Sequence, residues 1–148
     1  MDDPRHIRLI SRLSMDYVIS IYSEVLRRGA HDPLDALILS TVAVANVAYL
    51  GADPALSLKY GGIDQPEPVE IKRPISRNAV ALSLGMSYET ARRRIQKLID
   101  AGSMIDTEEG LLGANETQNP EMVLAMAKQN ITLLKRMVRL MREAGVEV

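Results

Sequence analysis

The stretch from Ile75 to Ile105, ISRNAVALSLGMSYETARRRIQKLIDAGSMI, constrains this chain more than any other. Ala81 and Gly85 stand four residues apart, with Val80, Leu84 and Met86 around them and Ala91, Ile95 and Leu98 beyond. The spacing predicts two short helices joined by a tight turn. A small residue at Ala81 lets the second helix cross close over the first. Gly85 supplies a positive φ at little cost. Ser87 is placed to cap the second helix, and Gly102 sits where a left-handed C-cap belongs.

Drawn as a wheel, the second helix puts Ala91, Ile95 and Leu98 on one buried stripe. Glu89, Arg92, Arg93, Gln96 and Lys97 fall on the other side, with Arg94 at the boundary and Thr90 in the first turn. A charge run alone is ordinarily a solvated face. Combined with the Ala–Gly spacing it predicts a recognition helix, because Arg reads guanine edges and grips phosphate and Gln reads adenine. Phosphate contacts are expected from Arg77, Ser87, Thr90, Arg92 and Lys97. Base edges fall to Arg93 and Gln96, with Tyr88 or Glu89 tuning specificity.

The segment resembles the winged helix-turn-helix domain of bacterial transcription regulators. The resemblance rests on Ala81, Gly85, Ser87, Thr90, Arg92, Leu98, Gly102 and Ile105 and covers about a third of the chain. It implies a short β wing, read here as Ser103–Asp106 and Leu111–Gly113, turning at Thr107-Glu108-Glu109-Gly110. The acidic tip predicts no grip on the minor groove. Helices on both sides of the motif resemble the layout of MarR-like regulators, where helices from both chain ends form the dimer and a small molecule can bind between dimer and DNA domains. That layout implies a homodimer and a possible small-molecule effector. The wing lacks their Asp-x-Arg element, and the linker before the motif is long.

An apolar share of 47% is ample for a core, but aromatic content is 3% with no Phe or Trp. Leu, Ile, Val, Ala and Met must fill the interior, which suits packed helices. The absence of cysteine excludes disulfides, thiolate zinc sites and a cysteine nucleophile. Net charge is −1, yet Lys72, Arg73, Arg77, Arg92, Arg93, Arg94 and Lys97 crowd into 72–98 against one acid, Glu89. Such segregation is expected when one face meets phosphate. No basic-then-apolar pattern is read at the start, so no signal peptide is expected. The apolar run Ala36–Leu50 reads as too short and too polar to span a membrane. A cytoplasmic protein is expected.

In chain order, Met1–Pro4 reads as a loose end, followed by a helix over about Arg5–Arg28. Its stripe of Ile7, Ile10, Ser14, Tyr17, Ile21 and Val25 suits either a partner subunit or intramolecular packing. Asp32-Pro33 opens a second helix, Leu34–Leu50, apolar almost all round and expected to be buried on most sides. Asn46 within it suits a ligand pocket, a dimer contact or a nearby carbonyl. Asp53-Pro54 predicts a short helix to about Lys59, and 60–68 a linker. The Gly61-Gly62 pair has no following Lys-Ser/Thr, so it makes no P-loop. Val69–Ile71 is read as a strand pairing with the wing. Asn119-Pro120 opens a final helix to about Ala144, with Val123, Ala127, Asn130, Leu134, Met137 and Met141 at near-heptad steps; Asn130 would set register in a paired helix.

These readings combine into a mainly α fold, a winged helix-turn-helix with a short β wing flanked by long N- and C-terminal dimerisation helices. The expected divisions are 1–65 (N-terminal dimerisation region), 66–116 (DNA-binding domain) and 117–148 (C-terminal dimerisation helix). Dimer contacts are expected from Ile10, Tyr17, Ile21, Asn130, Leu134, Met137 and Met141. The leading expectation is a dimeric, sequence-specific regulator on pseudo-palindromic double-stranded DNA, with half-sites about one helical turn apart. The alternative is a protein–protein module of the same fold that does not bind DNA. Catalysis is not expected, since His6 and His31 lie on separate segments without acids at metal spacing and no Ser-His-Asp set can be drawn. No cofactor is implied.

Overall fold

A computed structural model describes residues 4–114 and 119–148. The described residues are mainly helical (68%), with one small antiparallel hairpin among them. It divides into two compact units, 1–33 with 121–148, and 34–120. The boundary expected at 116–117, and the loose end apart from Pro4, lie outside the described residues.

The first unit contains α1 (Ile7–Arg28) and the last helix, α6 (Pro120–Glu143). Helix α1 stops at Gly29, which adopts φ 63° and donates its N–H to the Val25 carbonyl. Arg27 and Arg28 oppose the carbonyl end of the helix and pair with Glu24 at 2.9 and 2.8 Å. Leu13 and Tyr17 of α1 face Leu133, Met137 and Leu140 of α6 across one small cavity. The Tyr17 hydroxyl donates to Asn130 Oδ1, and Asp16 pairs with Arg136 at 3.7 Å. Yet α1 buries none of its residues and α6 only Met141.

The second unit runs α2 (Pro33–Val47), a 3-10 turn (Ala48–Ala52), α3 (Pro54–Lys59), a 3-10 turn (Val69–Ile71), α4 (Arg77–Leu84), α5 (Tyr88–Asp100) and the hairpin β1 (Met104–Thr107) and β2 (Gly110–Gly113). Side-chain caps set the helix starts: Asp53 accepts from the N–H groups of Ala55 and Leu56, Ser76 from Ala79 and Ser87 from Thr90. One core joins Ile38, Leu39 and Val42 of α2, Val80 and Ala81 of α4, Ala91, Ile95 and Leu98 of α5, and Met104 and Leu111 of the hairpin. Each large aliphatic side chain among them contributes about 1.5–3 kcal/mol by leaving water.

Helix α2 departs from expectation in two ways. Only one side of it is buried, through Ile38, Leu39, Val42, Asp35 and Asn46, while Val44 remains 67% exposed. Its helical run also extends through the following 3-10 turn. Pro33–Ala52, 20 residues with mean hydropathy 1.6, is therefore long and apolar enough to cross a membrane by length and composition, contrary to the expectation for Ala36–Leu50. Its buried polar residues are committed to the second unit. Asp35 pairs with two cations of α5, and Asn46 ties three segments together.

Asn46 is 1% exposed. Its Nδ2 donates to the carbonyls of Arg73 (2.8 Å) and Leu111 (3.0 Å), and its Oδ1 accepts from Gly113 N–H at 3.0 Å. Nearby carbonyls thus satisfy it, as one of the three sequence readings required. Its own carbonyl accepts from Arg73 N–H at 2.8 Å. The Tyr49 hydroxyl donates to the Ile71 carbonyl, and the Arg73 guanidinium lies 3.8 Å above the Tyr49 ring.

These bonds overturn the strand expected at Val69–Ile71. The carbonyls of Ile71 and Arg73, which a sheet would use, are taken by α2 and the turn after it, and the segment winds into a 3-10 turn. Ile75 joins the hairpin instead, exchanging both backbone bonds with Leu111 at 3.2 and 2.8 Å. Gly110 makes this approach possible. A Cβ there would stand 2.7 Å from the Ile75 carbonyl oxygen, and the residue adopts φ 137°.

Candidate nucleic-acid interface

Helices α4 and α5 are separated by Gly85, Met86 and Ser87. Gly85 adopts φ 61°, and Met86 N–H bonds back to the Ala81 carbonyl at 3.0 Å. Ser87 then caps α5 and donates its hydroxyl to Thr90 Oγ1 at 2.8 Å. Ala91, Ile95 and Leu98 turn inward, and Tyr88, Glu89, Arg92, Arg93, Gln96 and Lys97 turn to solvent. The two-sided wheel drawn from sequence is the one observed. After α5, Gly102 adopts φ 77° and the chain enters the hairpin.

Most of the outward cations are engaged by carboxylates. Arg77 donates from Nη1 and Nη2 to Asp106 Oδ1 and Oδ2 at 3.1 and 2.8 Å. Arg92 pairs with Glu89 through Nε at 3.0 Å and Nη2 at 2.7 Å. Arg94 Nη1 meets Asp35 Oδ1 at 2.8 Å, and Lys97 Nζ lies 3.5 Å from Asp35 Oδ2. Gln96 donates to Asp100 at 3.0 Å. Arg93 is exposed and has no ion-pair partner among the described residues. The basic run therefore shares its surroundings with Asp35, Asp100 and Asp106 as well as Glu89, and its excess of charge is smaller than the sequence window implies.

These pairs perturb the groups that make them. The hydrogen bond to Arg77 holds the Asp106 carboxyl below the usual carboxylate range, and Asp106 in turn raises Arg77. Tyr88 and Arg92 also act on the Arg77 guanidinium, so the start of α4 and the first turn of α5 share one electrostatic neighbourhood. Glu89 is lowered by its hydrogen bond from Arg92 and then by that residue's charge, with Arg93 adding to the field.

The site thus has two ends. Ser87, Tyr88, Glu89, Thr90 and Arg92 lie at the start of α5, and Arg77 opens α4. Lys97, with Arg94, is drawn toward α2 by a carboxylate that is only 3% exposed. Sequence reasoning missed Asp35 and Asp106, which lie 59 residues from Arg94 and 29 from Arg77. The Glu89–Arg92 and Gln96–Asp100 pairs carry a signal in their i,i+3 and i,i+4 spacing.

Of the expected dimer contacts, Tyr17, Asn130 and Met137 are used between α1 and α6 of one chain. Ile10 and Ile21 are half-buried, Met141 is buried and Leu134 is 43% exposed. A second apolar row on α1, comprising Met15, Val18, Ile19 and Leu26, is open to solvent, as are Ile7 of the first stripe and Ile131 of α6.

Compared with known protein families, curated proteins and solved structures, the chain matches none.

Proposed function

We propose that this chain is a sequence-specific double-stranded DNA-binding protein, a dimeric transcription regulator whose α5 enters the major groove. The observation that carries the reading is the build of α5. One face is locked into a core shared with α2, α4 and the hairpin, while Tyr88, Arg92, Arg93 and Gln96 stand outward from the other. A rigid helix with a guanidinium and an amide at its exposed centre suits bidentate contact with base edges. The three-residue turn before it and the hairpin after it, extended by Ile75, support a winged helix-turn-helix. The hairpin tip, Glu108-Glu109, is acidic, so recognition falls to α5 alone.

Seven large apolar side chains on α1 and α6 (Ile7, Met15, Val18, Ile19, Leu26, Ile131 and Leu134) are 43% or more exposed. Large apolar side chains left open on the terminal helices are what a partner subunit would cover, and they support the homodimer. The cavity between α2, Glu67, Lys72 and the ends of the hairpin holds about 100 Å³, so an effector bound there would be smaller than the usual occupant of a ligand pocket.

The test is selection of duplexes from a random pool, followed by affinity measurement against salt. Arg93→Ala and Gln96→Ala should each relax base preference at one position, at a cost of about 1–3 kcal/mol on the preferred site, with the fold intact. Equal losses on all sequences would refute their role as readers. The second reading, a protein–protein module, draws on the carboxylates that already occupy Arg77, Arg92, Arg94 and Lys97. Failure to shift any duplex at low salt would select it.

A further inference from the structure

We infer that Asp106 stands, in the free protein, where a DNA phosphate stands in the complex: on the guanidinium of Arg77. Duplex binding then proceeds by exchange of one oxyanion for another. The inference rests on the DNA-binding reading above and assigns Asp106 as the residue that sets its affinity threshold.

Three observations carry it. The contact is two-pronged, Nη1 to Oδ1 at 3.1 Å and Nη2 to Oδ2 at 2.8 Å, the fork geometry that a carboxylate shares with a phosphate. The partners come from different elements, α4 and β1, 29 residues apart. The Glu89–Arg92 pair, by contrast, is one that i,i+3 spacing produces on many helices. And the pair is open, with 25% of the Arg77 side chain and 41% of the Asp106 side chain exposed, so a phosphate can reach it without unfolding.

Its position matters as much as its geometry. Arg77 lies within electrostatic reach of Tyr88 and Arg92 in the first turn of α5. Arg77 and Arg92 are thus two cations, each paired with its own carboxylate, whose charges act on one another. Asp35 is a different case. It is 3% exposed beneath Arg94 and Lys97, so it positions α5 and no phosphate can replace it. Phosphates carry no base identity, so Asp106 opposes every sequence alike and leaves the base contacts to decide which site is held.

The test uses the full chain and a fluorescein-labelled mixed-sequence duplex of about 30 base pairs, with anisotropy read between about 50 and 200 mM salt. Asp106→Asn should bind about two- to fivefold more tightly at the low-salt end, with a log–log salt slope steeper by up to about one. Asp106→Ser should behave likewise, and thermal melting of each variant reports its folding. In an Arg77→Ala background the gain should vanish. Two results overturn the inference: neither variant binds more tightly than wild type, or the gain persists without Arg77, which would reduce Asp106 to a generic repulsive charge. If wild type and both variants all fail to bind duplex at the lowest salt, the DNA reading falls and takes this inference with it. If wild type binds and the variants match it, only this inference falls.

Discussion

At the scale of single residues, Asn46 links parts of the second unit that are far apart in the chain. It is buried, and its amide satisfies two carbonyls and one N–H from two separate stretches of chain, the residues before α4 and strand β2. Asn46→Ala would leave those groups facing a gap too small to hydrate freely. The expected cost is about 2–4 kcal/mol, read as a lower urea midpoint at unchanged slope. A loss under half a kcal/mol would mean that water replaces the amide. Glycines show the same dependence on surroundings. Gly85 has its positive φ but open space where a Cβ would point, whereas Gly110 has both the positive φ and the Ile75 carbonyl against it.

At the scale of elements, the terminal helices present two apolar rows where sequence periodicity drew one. The row through Tyr17 faces α6 of the same chain, and the row through Met15, Val18, Ile19 and Leu26 faces solvent. The proposed dimer should therefore depend on the second row. Val18→Glu and Ile131→Glu are expected to shift the sedimenting species toward the monomer at micromolar concentration. Tyr17→Phe, which removes only the hydroxyl bonded to Asn130, should lower stability by about 0.5–1.5 kcal/mol without changing the mass. Dissociation by Tyr17→Phe but not by the glutamates would invert this assignment. Near-heptad spacing on α6 was visible in advance. That Asn130 answers a tyrosine of its own chain was not, because the two lie 113 residues apart.

At the scale of the whole molecule, charge is arranged as local pairs. Asp106, Glu89 and Glu24 are each held below the usual carboxylate range, first by the hydrogen bond from Arg77, Arg92 and Arg27 respectively. A carboxyl whose folded pKa is depressed adds stability above its unfolded pKa and loses it as pH falls through the folded value. Stability should therefore be level through neutral pH and decline below about pH 4 as these groups take up protons. The effect is small for each, since all three are solvent-screened. Urea midpoints against pH should show the decline, and Arg77→Ala should remove the Asp106 share of it. An acid limb identical in wild type and Arg77→Ala would argue against that pair in solution. Pairing also bears on function, since a proposed duplex ligand meets cations already engaged and must compete for them.

The amino-acid order by itself determined what neighbours within four positions decide. The helices, their Ser76, Ser87 and Asp53 caps, the Gly29 and Gly85 stops, the inward stripe of α5 and the hairpin turn all follow from local sterics and 3.6-residue periodicity. Tertiary structure alone decided which distant groups meet. It placed Asp35 under Arg94, Asp106 on Arg77 and Asn46 between two distant backbone segments, and it put Ile75 rather than Val69–Ile71 beside Leu111. The physical reason is that buried polar groups and backbone edges take whichever partner the packed helices bring within about 3 Å, and no window along the chain contains both members of such a pair.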